Sequence, residues 1–194
     1  HSGVLDDYDV LLFQAQDGNS IRNGFRRGEL PRQYTGGLGD QGVQAVSDFV
    51  RNGGRVIAIE AATDFIAELF DLDISNLTSG LPNTEFYIPG SILRLELDSV
   101  SEINEGMRDE ISAWYWRSSM AYEVDDPRIR VVARYGQGDP LLSGWVLGGE
   151  HIAGEAAILE ADIGEGSLVL FGFQPNYRAQ TVATWPLLFN AMRK

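Results

Sequence analysis

The stretch Arg55-Val56-Ile57-Ala58-Ile59-Glu60-Ala61-Ala62-Thr63-Asp64-Phe65 decides the fold of this chain. Its apolar run from Arg55 to Ile59 predicts a buried β-strand, and the segment from Ala61 to Phe70, after Glu60, predicts a helix. A sharp turn between a strand and a helix is the nucleophile elbow of many α/β enzymes, in which a Ser or Cys stands exposed at the carboxyl end of the strand. Glu60 takes that position here. The sequence therefore predicts the frame of a catalytic site without its nucleophile.

The segments before this stretch extend it into a β-α-β-α pattern. A strand is predicted over 8–13, followed by a long, polar and Gly-rich loop over 14–39. A helix is predicted to begin at Asp40 as its N-cap and to end at Gly53-Gly54. This alternation predicts a mainly parallel sheet with right-handed crossovers and helices on both faces, a three-layer α/β fold.

The second half of the chain predicts antiparallel additions to that sheet. A tight turn at 163–166 joins two of its strands. The predicted strands are 91–97, 111–116, 129–134, 156–160 and 167–173, and a closing helix is predicted over 181–192. Because no linker or repeat interrupts the pattern, we expect one domain over 1–194, with residues 1–3 as a tag remnant.

The composition of the chain disfavours two kinds of partner and excludes several kinds of catalytic and metal site. The net charge of −13 disfavours nucleic acid and anionic membrane as partners. The chain has no Cys, which excludes thiol catalysis, disulfides and Cys-based zinc sites. Its two His are His1, in the expected tag remnant, and His151, in a predicted loop. A lone His is more often a surface or hydrogen-bonded residue than a metal ligand, so we expect no metal or cofactor site within this chain.

Four segments, in order, carry a family resemblance. They are 30–39 (LPRQYTGGLG), 49–54 (FVRNGG), 87–93 (YIPGSIL) and 170–181 (LFGFQPNYRAQT). Together they resemble the class I glutamine amidotransferase-like, flavodoxin-like C-terminal domain of bacterial M14-type zinc carboxypeptidases. The resemblance runs from about Tyr8 to Met192. It implies a longer parent, secreted or periplasmic, with its zinc site in an upstream peptidase domain. His151 is not followed by the usual His-x-x-Glu pattern of such a site.

The resemblance also implies which residues replace the catalytic pair. Active amidotransferases of this class pair a Cys at the elbow with a His after a late strand. Glu60 stands at the Cys position, and Gln174 lies where the His is expected. Such a domain is a pseudoenzyme whose partner is its own upstream peptidase domain. A flavodoxin-like sheet also opens with a strand that has no clear match before Tyr8, and the edge left exposed would favour a homo-oligomer.

Several side chains have both a functional and a structural interpretation. Glu60 is either a ligand-binding or vestigial catalytic carboxylate, or a structural acid that accepts hydrogen bonds from backbone N–H groups at the helix start. We favour the structural interpretation. Arg178, after the strand 167–173, is expected at the same rim, paired with Glu60 or binding a ligand carboxylate, with Asp64 as a further member and Gln174 beside them. Gln180 faces the same end of the sheet.

Three functions follow. The leading hypothesis is a noncatalytic accessory or interaction domain of a zinc carboxypeptidase. The second is a divergent hydrolase that uses Glu60, which requires an acid–base partner within about 3 Å and an open pocket. The third is a carbohydrate- or small-ligand-binding module that uses Trp114 and Trp116, which share one strand face; it fails if both rings are buried.

Overall fold

The computed structural model describes residues 4–26 and 28–193, so the expected tag remnant at 1–3 lies outside the described residues. Four α-helices and ten strands follow one another along this part of the chain. In chain order they are β1 (Val10–Phe13), α1 (Gly18–Asn23), α2 (Gly39–Arg51), β2 (Arg55–Ile59), α3 (Ala61–Phe70), β3 (Ile74–Asn76), β4 (Ser91–Leu97), β5 (Glu110–Tyr115), β6 (Tyr122–Val124), β7 (Ile129–Tyr135), β8 (Leu141–Ser143), β9 (Ala156–Ile163), β10 (Gly166–Phe171) and α4 (Trp185–Ala191).

The strands form one sheet with a parallel part and an antiparallel part. Its main order is β1-β2-β10-β9-β7-β4-β5, with β3, β6 and β8 attached beside this path. Both β1 and β10 pair with β2 in parallel. From β10 onward the pairing is antiparallel, beginning with the β9–β10 hairpin at the predicted tight turn. The predicted α/β fold class with antiparallel additions in the second half is confirmed.

Helices cover both faces of the sheet, as predicted, because the parallel strands are apolar on both sides. On one face, Val56 and Ala58 of β2 join a core built with α1, α2 and α3. On the other face, Ile57 and Ile59 join a core that includes Leu187 of α4. These four β2 side chains are fully buried. Strand β2, which leads to Glu60, is therefore packed on both faces, and this packing fixes the position of the turn that follows it.

Some predicted boundaries are wrong for local reasons. The helix after the long loop begins at Gly39 with Leu38 at the N-cap and no side-chain cap, so Asp40 lies in its first turn. The closing helix is shorter than predicted, because a 3₁₀ turn at Val182–Thr184 precedes α4. The loop over 14–39 contains α1 and a 3₁₀ turn at Arg32–Tyr34. Within the described residues no helix is long and apolar enough to cross a membrane.

Candidate functional site at the strand–helix turn

Glu60 forms the turn between β2 and α3 with a backbone that few non-glycine residues adopt. Its φ is 48° and its ψ is −124°. The Glu60 N–H donates to the carbonyl of Phe171 at 2.8 Å, which ties the turn to the end of β10. The Glu60 carbonyl accepts from both the N–H and the hydroxyl of Thr63, each at 2.7 Å. These bonds hold the chain in the conformation of a nucleophile elbow, as the sequence predicts.

The Glu60 side chain is buried within a set of polar donors. The residue is 1% exposed. Its Oε2 accepts from Ser118 Oγ at 2.9 Å and from Gln174 Nε2 at 2.8 Å, and its Oε1 accepts from Ser119 Oγ at 2.9 Å. No Lys, Arg or His among the described residues forms an ion pair with it. Glu60 is thus a buried carboxyl group stabilised by neutral hydrogen-bond donors.

The donors come from two segments at the carboxyl edge of the parallel strands. Gln174 follows β10, the strand beside β2, and the structure brings it against Glu60. Ser118 and Ser119 belong to the turn after β5, and sequence reasoning misses both of them. Ser119 is itself held in place, because its hydroxyl accepts from the Trp116 N–H at 3.0 Å. The expectation that Glu60 would accept from backbone N–H groups is wrong, since no such side-chain cap exists at α3.

A layer of hydroxyl groups lies beneath the elbow. Thr63 Oγ1 is 2.6 Å from the Tyr122 hydroxyl, and both residues are buried. The hydroxyls of Tyr115 and Tyr135 donate to the carbonyls of Ser119 and Met120. Burial raises the pKa of each of these three tyrosines well above its ordinary value. They are therefore neutral near pH 7 and supply no base to Glu60.

The predicted ion-pair network around Arg178 does not form among the described residues. Arg178 is exposed, and its guanidinium carbon lies 5.6 Å from the ring centroid of Tyr177. It makes no ion pair with Glu60 or with Asp64. Asp64 lies on the outer side of α3, where partial desolvation raises the pKa of its carboxyl. Of the four candidate residues, the structure brings only Glu60 and Gln174 into contact.

Three aromatic rings gather beside the elbow, and we call Trp114, Trp116 and Tyr177 the aromatic cluster. The centroids of each pair lie within 6.0 Å, and the Trp114 and Tyr177 planes differ by 2°. All three side chains are partly exposed. The tryptophans also lie close to the backbone of Gly90. A Cβ at that position would lie only 2.8 Å from Trp114. The ring planes are thus fixed by a backbone that comes close to them.

Two features outside the elbow, His151 and a cavity at the other end of β2, do not belong to the site around Glu60. His151 packs edge-on against the ring of Phe86, with 6.1 Å between centroids. Among the described residues no group of three or more His, Asp or Glu side chains is arranged to hold a metal ion. A cavity of about 520 Å³ lies at the opposite end of β2 from Glu60, lined by Arg55, Glu160 and Arg193 among others. It does not reach the elbow.

Solved structures show which known fold this arrangement matches. No known family profile and no curated protein sequence matches the chain. A GMP synthase subunit-like protein from Thermoplasma acidophilum aligns with a TM-score of 0.56 and 12% identity, over 97% of this chain and 73% of its own. A ThuA-like protein from Bacteroides uniformis aligns with a TM-score of 0.50 and 12% identity, over 97% of this chain and 69% of its own.

A further match involves a much larger enzyme. A β-galactosidase from Bacillus circulans sp. alkalophilus aligns with a TM-score of 0.56 and 14% identity, over 98% of this chain but only 23% of its own. Identities this low establish the fold and not the activity. With the elbow turn, the flanking helices and the parallel core on the same sheet, the chain has a glutamine amidotransferase-like fold.

Proposed function

We propose that this chain is a noncatalytic accessory domain of a secreted or periplasmic zinc carboxypeptidase. The observation that carries the noncatalytic part is the state of Glu60. The group at the nucleophile position is 1% exposed, and both of its oxygens accept hydrogen bonds from side chains. A nucleophile or general base must reach a substrate atom, and a carboxylate enclosed by protein donors does not.

The residues around Glu60 support the same interpretation. An acyl-transfer site needs a base to activate its nucleophile and an acid for the leaving group. Among the described residues, the hydrogen-bond partners of the Glu60 side-chain oxygens are two serine hydroxyls and the Gln174 amide, none of which titrates near neutral pH. The hydrolase hypothesis requires an acid–base partner and an open pocket at this place. Against it, the hydrogen-bond partners of the Glu60 side chain among the described residues include no acid or base, and Glu60 itself is 1% exposed.

The carboxypeptidase part of the proposal rests on the four sequence segments and not on the comparisons. Under this proposal the zinc ion and the peptidase activity belong to an upstream domain, which is the main partner of this chain. The domain would position or stabilise the peptidase. The fragment alone should therefore bind no zinc and hydrolyse neither glutamine nor C-terminal peptide bonds.

The test uses the full-length gene product with and without residues 4–193. We expect stoichiometric zinc and carboxypeptidase activity in the full-length protein, and neither in the fragment. The fragment should also release no ammonia from glutamine. A full-length product without zinc and without peptidase activity would overturn the carboxypeptidase assignment. Hydrolysis by the fragment that is lost in Glu60→Gln would instead establish the divergent hydrolase.

A second candidate function, carbohydrate binding, is favoured by the aromatic cluster. Near-parallel, partly exposed rings are the geometry that stacks on the apolar face of a sugar, and neither tryptophan is fully buried. Titration with oligosaccharides, followed by tryptophan fluorescence, tests it. Trp116→Ala and Tyr177→Ala should each abolish the response, whereas Trp145→Ala, an exposed residue outside the cluster, should keep it. No response at millimolar sugar rejects this function.

A further inference from the structure

Two segments at the carboxyl edge of the parallel strands bind the Glu60 side chain and also carry the aromatic cluster. The first rim segment is 114–119, which contains both tryptophans of the cluster, and the second rim segment is 174–179, which contains its tyrosine. Each segment donates a side-chain hydrogen bond to Glu60, at 2.8 or 2.9 Å. The buried carboxyl group therefore holds the two segments, and with them the rings of the cluster, in one arrangement.

Each rim segment also places an arginine directly after a ring of the cluster. Arg117 follows Trp116, and Arg178 follows Tyr177. The guanidinium carbon of Arg117 lies 5.8 Å from the ring centroid of Tyr87, and that of Arg178 lies 5.6 Å from the centroid of Tyr177. Both arginines are exposed, and neither forms an ion pair with another described residue. Their guanidinium groups are therefore open to an anionic ligand beside the rings.

The second rim segment has a backbone conformation that is unusual outside glycine. Arg178 has a φ of 45° and a ψ of 26°, and Ala179 has a φ of 54°. Of the four non-glycine residues with positive φ among the described residues, Glu60 is the third at this edge of the sheet, and Asp71 lies at the other end of α3. Such strain persists only where the surrounding structure enforces it, and it clusters at ligand-binding and active sites. Its concentration here indicates that the position of the Arg178 side chain serves a function.

We propose that the two rim segments form a binding site for a short oligosaccharide of uronic acids. The partly exposed rings of the cluster offer an apolar surface to the sugar rings. The guanidinium groups of Arg117 and Arg178 match the planar carboxylates of a uronate, to which an arginine donates two parallel hydrogen bonds. The inference rests on the second candidate function, carbohydrate binding, and adds to it the charge of the ligand and the residues that read this charge.

The charges of the chain limit which anions fit this site. A net charge of −13 repels long polyanions such as nucleic acids or sulfated polysaccharides, whereas a pair of guanidinium groups suits a ligand with few carboxylates. Glu60 does not compete for the arginines, because it is 1% exposed and its oxygens already accept hydrogen bonds from neutral groups. An acidic peptide also carries carboxylates, but its acidic side chains present no broad apolar face to the rings.

The test is isothermal titration calorimetry of this chain with trimers of glucuronate, galacturonate and mannuronate, each compared with its methyl ester. The ester keeps the sugar rings and removes the negative charge, so it is the matched neutral ligand. We expect at least one of the acids to bind about 10-fold more tightly than its ester. Added salt should weaken the binding of the acid and leave that of the ester unchanged, because salt screens exposed charges.

Substitutions separate the contributions of the arginines and the rings. Arg117→Gln and Arg178→Gln should each weaken the binding of the acid by about 10-fold and leave the binding of the ester unchanged. Trp116→Ala should abolish the binding of both forms. The matched control is Arg108→Gln, which changes an exposed arginine near the opposite end of β5 from the cluster and should bind like the parent chain. Circular dichroism confirms that each variant is folded.

The outcomes distinguish this proposal from carbohydrate binding in general. Equal affinity for acid and ester would overturn the proposal and leave carbohydrate binding in place, whereas no binding of either form at millimolar concentration would overturn both. A response to a short glutamate-rich peptide, without a response to any uronate, would assign the arginines to a peptide ligand and overturn the proposal. An equal loss of affinity in Arg108→Gln would overturn it as well, because net charge alone would explain the effect. Zinc content and peptidase activity of the full-length gene product test the accessory function separately.

Discussion

The elbow makes a quantitative prediction about Glu60→Ala and Glu60→Gly. Both substitutions remove the carboxyl group and leave the same donors, from Ser118, Ser119 and Gln174, without their acceptor. They differ only in the backbone, because glycine adopts a φ of 48° and a ψ of −124° without the steric conflict that a Cβ creates. Comparing the two variants separates the side-chain hydrogen bonds from the backbone strain at the turn.

The magnitudes follow from the contacts. The buried donor Ser119 costs about 1 to 1.5 kcal/mol when it loses its acceptor, and the exposed Ser118 and half-buried Gln174 cost about 0.5 to 1 kcal/mol each, so Glu60→Ala should lose about 2 to 3.5 kcal/mol of unfolding free energy. Glu60→Gly loses the same bonds but is relieved of about 1 to 3 kcal/mol of backbone strain. The greater conformational freedom of glycine in the unfolded chain lowers the stability of this variant by about 0.7 kcal/mol. The glycine variant should therefore be about 1 kcal/mol more stable than the alanine variant.

Urea unfolding followed by tryptophan fluorescence measures these differences, with thermal unfolding as a second readout. For a chain of this size, about 3 kcal/mol corresponds to roughly 6 to 12 °C in Tm. Glu60→Gln, which keeps the shape of the side chain, is the matched control and should lose less than either. If the alanine variant equals or exceeds the glycine variant in stability, the strain argument is refuted. If the unfolding free energies of both variants lie within about 0.5 kcal/mol of that of the parent chain, the hydrogen-bond argument fails.

Two further substitutions test features away from Glu60. Gly90→Ala would place a Cβ 2.8 Å from Trp114 at a φ of 141°, so we expect a loss of about 2 to 3 kcal/mol of unfolding free energy and an altered near-UV CD spectrum. The control Gly80→Ala, also at positive φ but in open space, should lose less stability. Equal losses in the two variants would contradict the packing argument. Hydrogen bonds from Arg128 hold the pKa of Asp126 well below its usual range, so Asp126→Asn should lose about 2 kcal/mol at pH 7. Because a lowered folded-state pKa stabilises only above the unfolded value, the difference from the parent chain should shrink as the pH falls below about 4, and a difference that is constant down to pH 2, roughly, would contradict it.

The sequence predicted the elbow well because its signals are local. The apolar run of β2 follows Gly53-Gly54 and ends directly before a helical segment, and the structure gives the predicted bounds Arg55–Ile59 and Ala61–Phe70. The strands β3, β6 and β8 were missed because each has only three residues, too few for an alternating pattern. Their pairing with distant strands, and not their own composition, makes them strands.

The surroundings of Glu60 were harder to predict than its position. Gln174 was expected near the elbow because it follows a strand that ends at the same edge of the sheet. Ser118 and Ser119 reach Glu60 from 58 and 59 residues away, through a turn after an antiparallel strand whose place in the sheet the sequence does not specify. The run Trp116-Arg117-Ser118-Ser119 contains no periodic signal. A buried acid at an elbow predicts that donors exist, but not which segments supply them.

The position of β10 between β2 and β9 also determines when this chain can fold. Strand β2 acquires its second neighbour only when β10 pairs with it, and Arg55 binds Ser167 across 112 residues of sequence. Such a distant pairing imposes a large loop-closure cost and slows folding. During synthesis β1 and β2 emerge long before β10. Until β10 is made, they belong to an incomplete sheet that is prone to aggregation. A chain truncated before residue 166 would never close that sheet, so the C-terminal hairpin controls when the N-terminal half becomes stable.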